Sequence, residues 1–254
     1  MIIVISPAKN LNENYNYTCS FSTTKPKLLN ESKKLIKTLK EFSPKKLSSL
    51  MNVSDKIANL NYERYKSWKT PFTNKNSYPA VLLFKGDVYK GLEAETFNKS
   101  QFLFAQKHLR ILSGFYGLLR PFDKILPYRL EMGTKLSNNR GNNLYKFWGD
   151  KITDLLKDDL KDENEFIINL ASEEYFKSIN KKGLKNKIVT PVFKEFKNGN
   201  YKTIAIYAKK ARGLMSRYII DNNILDNEKI KLFDCERYSF SEEMSNEFTY
   251  TFIR

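Results

Sequence analysis

Met1-Ile-Ile-Val-Ile5 is a run of five apolar residues that stops at Ser6-Pro-Ala-Lys9. An apolar run of this length, closed by turn residues, reads as a short buried strand. It is far too short for a membrane span or the apolar core of a signal peptide. Similar runs recur at residues 80–84 and 166–170, with helical patterns between them. Segments 188–196 and 201–207 flank Asn198-Gly199, a strong hairpin signal. Phe248-Thr-Tyr-Thr-Phe252 alternates with period two and is expected to close a sheet edge. The expected fold class is α+β, a single compact mixed-sheet domain over residues 1–254.

The helical part begins after a polar, Asn- and Tyr-rich loop that runs to Lys25-Pro26. Leu28, Leu29, Ser32, Leu35, Ile36, Leu39 and Phe42 fall on one helical face, with Lys33, Lys34, Lys37 and Lys40 elsewhere. Ser43-Pro44 supplies a cap and a first-turn proline for a second helix over 45–51. Ser54-Asp55 opens a third, to about Trp68, which completes a helical insert at roughly 28–70. Residues 71–79 read as loop. Ser100 is expected to cap a helix through about His108, and residues 109–112 either extend it or form a strand. Residues 113–133, with three Gly and two Pro, read as an irregular, closely packed loop. Further helices are expected at 150–165, after Ser172, and from near Lys209 to Asn222-Asn223.

The formal net charge is +16, from 44 basic and 28 acidic residues. With 35 Lys against 9 Arg, part of this excess reads as the codon drift of an AT-rich genome. Its distribution does not: residues 1–127 carry net +12 and residues 128–254 net +4. Uneven charge along a chain points to a basic surface facing a polyanion, here nucleic acid. Cys19 and Cys235 stand in unrelated contexts, which excludes a disulfide framework and fits a reducing cytosol. The single His108 excludes a metal site needing two imidazoles and reads as a structural or surface residue. A soluble, cytoplasmic protein is expected, with no membrane association, no cofactor and no metal.

Leu47-Ser-Ser-Leu50-Met-Asn-Val53-Ser-Asp-Lys-Ile-Ala58 is the most specific local feature. It is similar to the helix-hairpin-helix element, placed near residues 44–68, whose backbone amides and second helix N-terminus hold a DNA phosphate without reading sequence. Leu47, Leu50, Val53 and Ala58 occupy the apolar positions that lock the two helices. Both usual glycines are replaced, by Asn52, which tolerates left-handed geometry, and by Ser54, which can cap instead. Lys45, Lys46 and Lys56 would flank the phosphate, so the expected DNA contacts are Lys45, Lys46, Asn52, Val53, Ser54 and Lys56. The same segment also reads as an ordinary helix–turn–helix packing unit.

A second constellation follows the strands, because ligands gather where strands of mixed sheets end. Ser6-Pro-Ala-Lys9 and Lys85-Gly-Asp-Val-Tyr-Lys-Gly91 both occupy such places. In a chain that favours lysine, a retained arginine marks a need for the forked guanidinium. Arg110, Arg120, Arg129, Arg140, Arg212 and Arg217 fall in three stretches, although Arg129-Leu-Glu131 also reads as an internal ion pair. In Lys209-Lys-Ala-Arg212-Gly-Leu-Met-Ser-Arg217, four cations would crowd the start of a helix, which its dipole disfavours unless an anion docks there. Gly213 would permit close approach of a backbone or a ligand. The 18 Phe and 15 Tyr fit core packing better than base stacking.

Seven segments now fall into a series. Ile5-Ser-Pro-Ala-Lys9, Phe84-Lys-Gly-Asp-Val-Tyr89, Leu112-Ser-Gly-Phe-Tyr-Gly-Leu-Leu-Arg-Pro121, Pro127-Tyr-Arg-Leu-Glu-Met-Gly133, Phe147-Trp-Gly-Asp150, Asn169-Leu-Ala-Ser172 and Tyr207-Ala-Lys-Lys-Ala-Arg-Gly213 span the chain from end to end. In kind and order they resemble the motifs of the YaaA family. That resemblance implies a cytoplasmic protein that protects against hydrogen peroxide by limiting free iron and oxidative DNA damage. It also implies a single domain with a helix-hairpin-helix element and a positively charged cleft for double-stranded or distorted DNA. Carried onto this sequence, the cleft comprises Lys9, Lys85, Arg120, Arg129, Lys209, Lys210, Arg212 and Arg217.

The leading expectation is a DNA-binding stress protein without catalysis and without a protein partner. An enzyme acting on a nucleotide or another phosphorylated small molecule is the alternative, with Asp87, Glu131 and Glu174 as acid–base candidates and Ser6 or Ser172 near the anion. No Walker-type or dinucleotide fingerprint accompanies them. Direct iron sequestration has least support, since one His and two distant Cys leave only carboxylates as ligands.

Overall fold

The computed structural model of the chain describes residues 1–13, 22–73 and 75–254. Cys19, with most of the Asn- and Tyr-rich loop (14–21), and Asn74 lie outside the described residues. The strands are β1 (Ile2–Ile5), β2 (Asn10–Leu11), β3 (Tyr78–Pro79), β4 (Phe84–Lys85), β5 (Leu109–Ser113), β6 (Gly117–Leu119), β7 (Lys124–Ile125), β8 (Ile167–Leu170), β9 (Ile188–Lys197), β10 (Asn200–Lys202), β11 (Ser239–Asn246) and β12 (Thr249–Ile253).

β1 lies inside the main sheet, whose order is β11-β12-β9-β8-β1-β5-β6, with β10 paired to β9. It runs parallel to both neighbours, Ile3 opposite Leu109 on one side and Ile168 on the other. Every residue of β1, β5 and β8 is buried, so both sheet faces are covered, as parallel strands require. β6 and β11 pair antiparallel at the two edges. The molecule is a single compact α/β domain on a mixed sheet.

Helices α1 (Leu29–Lys40), α2 (Pro44–Met51) and α3 (Asp55–Ser67) follow the sequence pattern closely. α1 buries Ser32, Leu35, Ile36 and Leu39, and Ser43 caps α2 by accepting from the Lys46 amide. Beyond them come α4 (Ala80–Leu83), α5 (Asp87–Leu92), α6 (Lys99–His108), α7 (Leu144–Trp148), α8 (Lys151–Asp159), α9 (Glu173–Phe176) and α10 (Ala205–Asp221).

Five local expectations are corrected. Residues 80–83 form one helical turn rather than a strand; all four side chains are buried, and total burial erases the periodicity that separates the two states. Asn98, not Ser100, caps α6, through a reciprocal capping box with Gln101. Residues 150–165 are helical only to Asp159. The strand after Asn198-Gly199 ends at Lys202, and α10 begins at Ala205, a full turn before Lys209. β12 is interior, between β9 and β11, so Tyr250, Thr251 and Phe252 are all buried; the polar β11 forms the edge instead. Residues 109–113, left open by the pattern, are strand.

Candidate functional site

The sheet itself says where a ligand should sit. After β1 the next strand of the sheet, β5, joins on one side; after β8 the next, β9, joins on the other. Chain direction therefore diverges between β1 and β8, and open parallel sheets form a crevice at the carboxyl ends of such a strand pair. Here a cavity of about 280 Å³ opens at that point. Ser6, just beyond β1, and Ser172, just beyond β8, close its floor. The Ser172 amide donates to Ser6 Oγ at 2.9 Å, and Ser6 Oγ donates to Ser172 Oγ at 3.3 Å.

Lys9, Lys85, Lys209 and Arg212 line this cavity, together with Asp87, Glu131 and Glu174. The cations arrive from three parts of the chain because α5 and α10 cross at very close range. A Cβ on Gly213 would lie 1.9 Å from the Val88 carbonyl oxygen, and one on Gly91 2.3 Å from that of Lys210. The close approach expected at Gly213 is thus the backbone of α5. It brings Lys209 and Arg212 against Asp87 and Lys85.

The charges within the cavity are unequally engaged. Glu131 Oε1 accepts from both Lys9 and Arg129, each at 3.1 Å. The Lys9 side chain is 63% exposed, so that pair contributes only ~0–1 kcal/mol and can be released. Glu174 accepts from the Gly133 amide at 2.9 Å, and Asp87 pairs with Lys90 at 3.2 Å. Arg212 is half-buried, and burial pushes its pKa down from the ordinary guanidinium value.

Next to the cavity lies a more open groove of about 730 Å³, lined by Lys46, Asn52, Gly133, Thr134 and Lys135. Glu131 and Glu174 line both, so the two are continuous. α2 and α3 form a helical hairpin at the groove's far side. Asn52 adopts the left-handed conformation (φ 48°), and Ser48 clasps the turn by donating to the Val53 carbonyl at 2.7 Å. Leu47 and Ala58 are fully buried between the helices, with Leu50 and Val53 packed against the core. Tyr65 of α3 donates its hydroxyl to the Arg129 carbonyl, which ties the hairpin to the cavity wall.

The expected residues divide accordingly. Lys9, Lys85, Lys209 and Arg212 converge on the cavity, and Arg129 stands behind Glu131 as the anticipated internal ion pair. Lys46 and Asn52 line the groove; Lys45, Ser54 and Lys56 are exposed on the hairpin, and Val53 is half-buried in its turn. Three residues assigned to the cleft do not line this cavity. Arg120 is held by Asp123 at 3.1 Å and by the Lys25 carbonyl, Lys210 pairs with Glu236, and Arg217 pairs with Asp221 at 2.8 Å and reaches Thr96. The dipole argument also changes, because Lys209 sits in the second turn of α10 and Arg217 near its end. Asp87, Glu131, Glu174, Ser6 and Ser172, raised only for the enzymatic alternative, share one cavity. Lys135 was missed; nothing in its neighbourhood of sequence marks it. Among the described residues, no group of three or more His, Cys, Asp or Glu is placed to hold a metal ion. No helix among them is long and apolar enough to cross a membrane.

The fold is thus a parallel-centred α/β sheet with a crevice at its switch point, lined by four cations and three carboxylates. Residues 1–244 match the family described as peroxide stress protein YaaA. The chain is 54% identical to a UPF0246 protein of Saccharophagus degradans, over all of this chain and 99% of that one. It is 52% identical to UPF0246 proteins of Neisseria gonorrhoeae and Colwellia psychrerythraea, over all of this chain and 98% and 99% of theirs. The chain belongs to the YaaA peroxide-stress family.

Proposed function

We propose that this peroxide-stress protein binds DNA along the phosphate backbone, with the α2–α3 hairpin as a helix-hairpin-helix at one end of its groove and the Lys9, Lys85, Lys209 and Arg212 cavity at the other. The observation that carries the reading is the continuity of groove and cavity through Glu131 and Glu174, which puts hairpin and cations on one face. Lys45, Lys46 and Lys56 lie on the exposed side of the hairpin, where phosphate contacts position a duplex without reading its bases. Double-stranded or distorted DNA is the expected partner, and its protection from iron-dependent oxidation is the proposed link to peroxide. Mobility shifts with duplexes of unrelated sequence test it: similar affinities that weaken steeply as salt rises are expected. Absence of binding at low salt rejects the reading.

One observation favours a second reading, an enzyme acting on a nucleotide or phosphorylated small molecule. Asp87, Glu131 and Glu174 share the cavity with the cations and with the Ser6 and Ser172 hydroxyls. Turnover of a mononucleotide, abolished by Glu174→Gln in a folded variant, would select it; a bound but unaltered mononucleotide would reject it.

A further inference from the structure

Nearly every arginine of this chain has a carboxylate. Arg64 pairs with Glu13, Arg110 with Asp159, Arg120 with Asp123, Arg129 with Glu131, Arg140 with Glu31, Arg217 with Asp221, and Arg254 with Glu195. Arg237 is exposed and needs none. Arg212 alone combines partial burial with no acidic partner among the described residues. A partly buried charge without a partner is costly, and a guanidinium that lines a cavity is met best by a bidentate oxyanion. Lys209, one turn earlier on the same helix, and Lys85 also line the cavity without an ion pair among the described residues.

The cavity's size and walls narrow the anion. At about 280 Å³ it lies at the small end of ligand pockets, roughly 300–1,000 Å³, and no duplex can enter it. Pro7, Val88, Leu170 and Tyr175 add apolar surface to its lining beside the cations. Such a mixed lining suits a ligand that joins a phosphate to a flat, weakly polar body. We infer that the Arg212 cavity holds a single nucleoside monophosphate unit, its phosphate on Arg212, Lys209 and Lys85 and its base against Val88 and Tyr175. The unit has two sources, a free mononucleotide or an unpaired nucleotide of a bound DNA strand. Only the second rests on the DNA reading above.

The test uses the full chain and two variants, Arg212→Gln and Lys209→Ala, each first checked for an unaltered melting midpoint. Lys209 is exposed, so its variant keeps the test open should Arg212→Gln fail to fold. Calorimetric titrations compare deoxyadenosine 5′-monophosphate, deoxyadenosine and inorganic phosphate. Mobility shifts compare a paired duplex with one carrying a single extrahelical nucleotide. Saturable binding of the monophosphate, weaker for the nucleoside and reduced about tenfold or more in Arg212→Gln, supports the inference. With that result, preference for the extrahelical duplex, lost in the variants, identifies a strand nucleotide; absence of preference identifies a free one. If wild-type protein ignores all duplexes while binding the monophosphate, the DNA reading falls and the cavity assignment stands. Failure to bind the monophosphate, together with no preference for the extrahelical duplex, overturns the assignment.

Discussion

His108 is the one histidine of the chain, and its ring lies against Phe104 with centroids 4.4 Å apart. Its Nδ1 is 2.8 Å from the Met1 carbonyl, to which the neutral ring donates. Burial lowers its pKa, the N-terminal amine and Lys107 lower it further, and Glu165 and the Met1 carbonyl oppose them. In the unfolded chain the imidazole takes a proton near pH ~6.5. The unfolded state therefore binds more protons below that point. The stability this residue contributes is present above ~6.5 and is lost as pH falls towards the folded-state value. Proton NMR is expected to give a single imidazole titration with a midpoint below 6.5; a midpoint at or above it contradicts this placement. The isolation of His108 in the sequence leaves a structural and a surface role open, and its burial decides for the first. Which arginines carry partners was not legible, because Arg110–Asp159 and Arg140–Glu31 join residues far apart in sequence. Arg120–Asp123, Arg129–Glu131 and Arg217–Asp221 are local pairs, and of these the sequence reading named Arg129–Glu131.

The crossing of α5 and α10 is the element on which the site depends. Replacing an interior helix glycine with alanine ordinarily gains about 1 kcal/mol of helix propensity. At Gly213 the added methyl would stand 1.9 Å from a backbone oxygen that cannot swing aside. Overpacking of side chains costs ~1–3 kcal/mol, and a backbone clash belongs at or above the upper end, so the penalty outweighs the gain. Gly213→Ala is expected to lower the melting midpoint by roughly 6–12 °C or to prevent folding. An unchanged or higher midpoint would mean the helices do not cross this tightly. The glycine itself was conspicuous in the sequence, but its neighbour was not. The β-favouring Tyr and Ile of residues 201–207 hide the start of α10 from a sequence reading, and its first turn, Ala205 to Tyr207, is exposed. The α2–α3 hairpin, by contrast, is readable almost residue by residue, since the Ser43 cap, Pro44 and left-handed Asn52 are local signals; Ser54 stands at the start of α3 but its side chain makes no capping bond.

For the whole molecule, strand order decides where chemistry can gather. Five apolar residues at the start of the chain mark a buried strand, and the Ser6–Lys9 loop after it lines the cavity. That β8 would flank β1, and so build a switch point, requires a pairing between residues 2–5 and 167–170 that no local pattern encodes. Charge bias points to the first half of the chain, yet the cavity takes Lys9 and Lys85 from that half and Lys209 and Arg212 from the second. A hairpin variant that folds but no longer protects cells from peroxide would join DNA binding to the stress role; retained protection would separate them. The central claim is that hairpin and cavity form one phosphate track, and the salt dependence of duplex binding reads it directly. Each lysine on that track accounts for a slope of about −0.9 in a plot of log affinity against log salt. Removing two in Lys45→Ala/Lys46→Ala is expected to flatten that slope by about 2 and to weaken binding to every duplex alike. A slope and affinity equal to those of the unaltered protein would contradict the account.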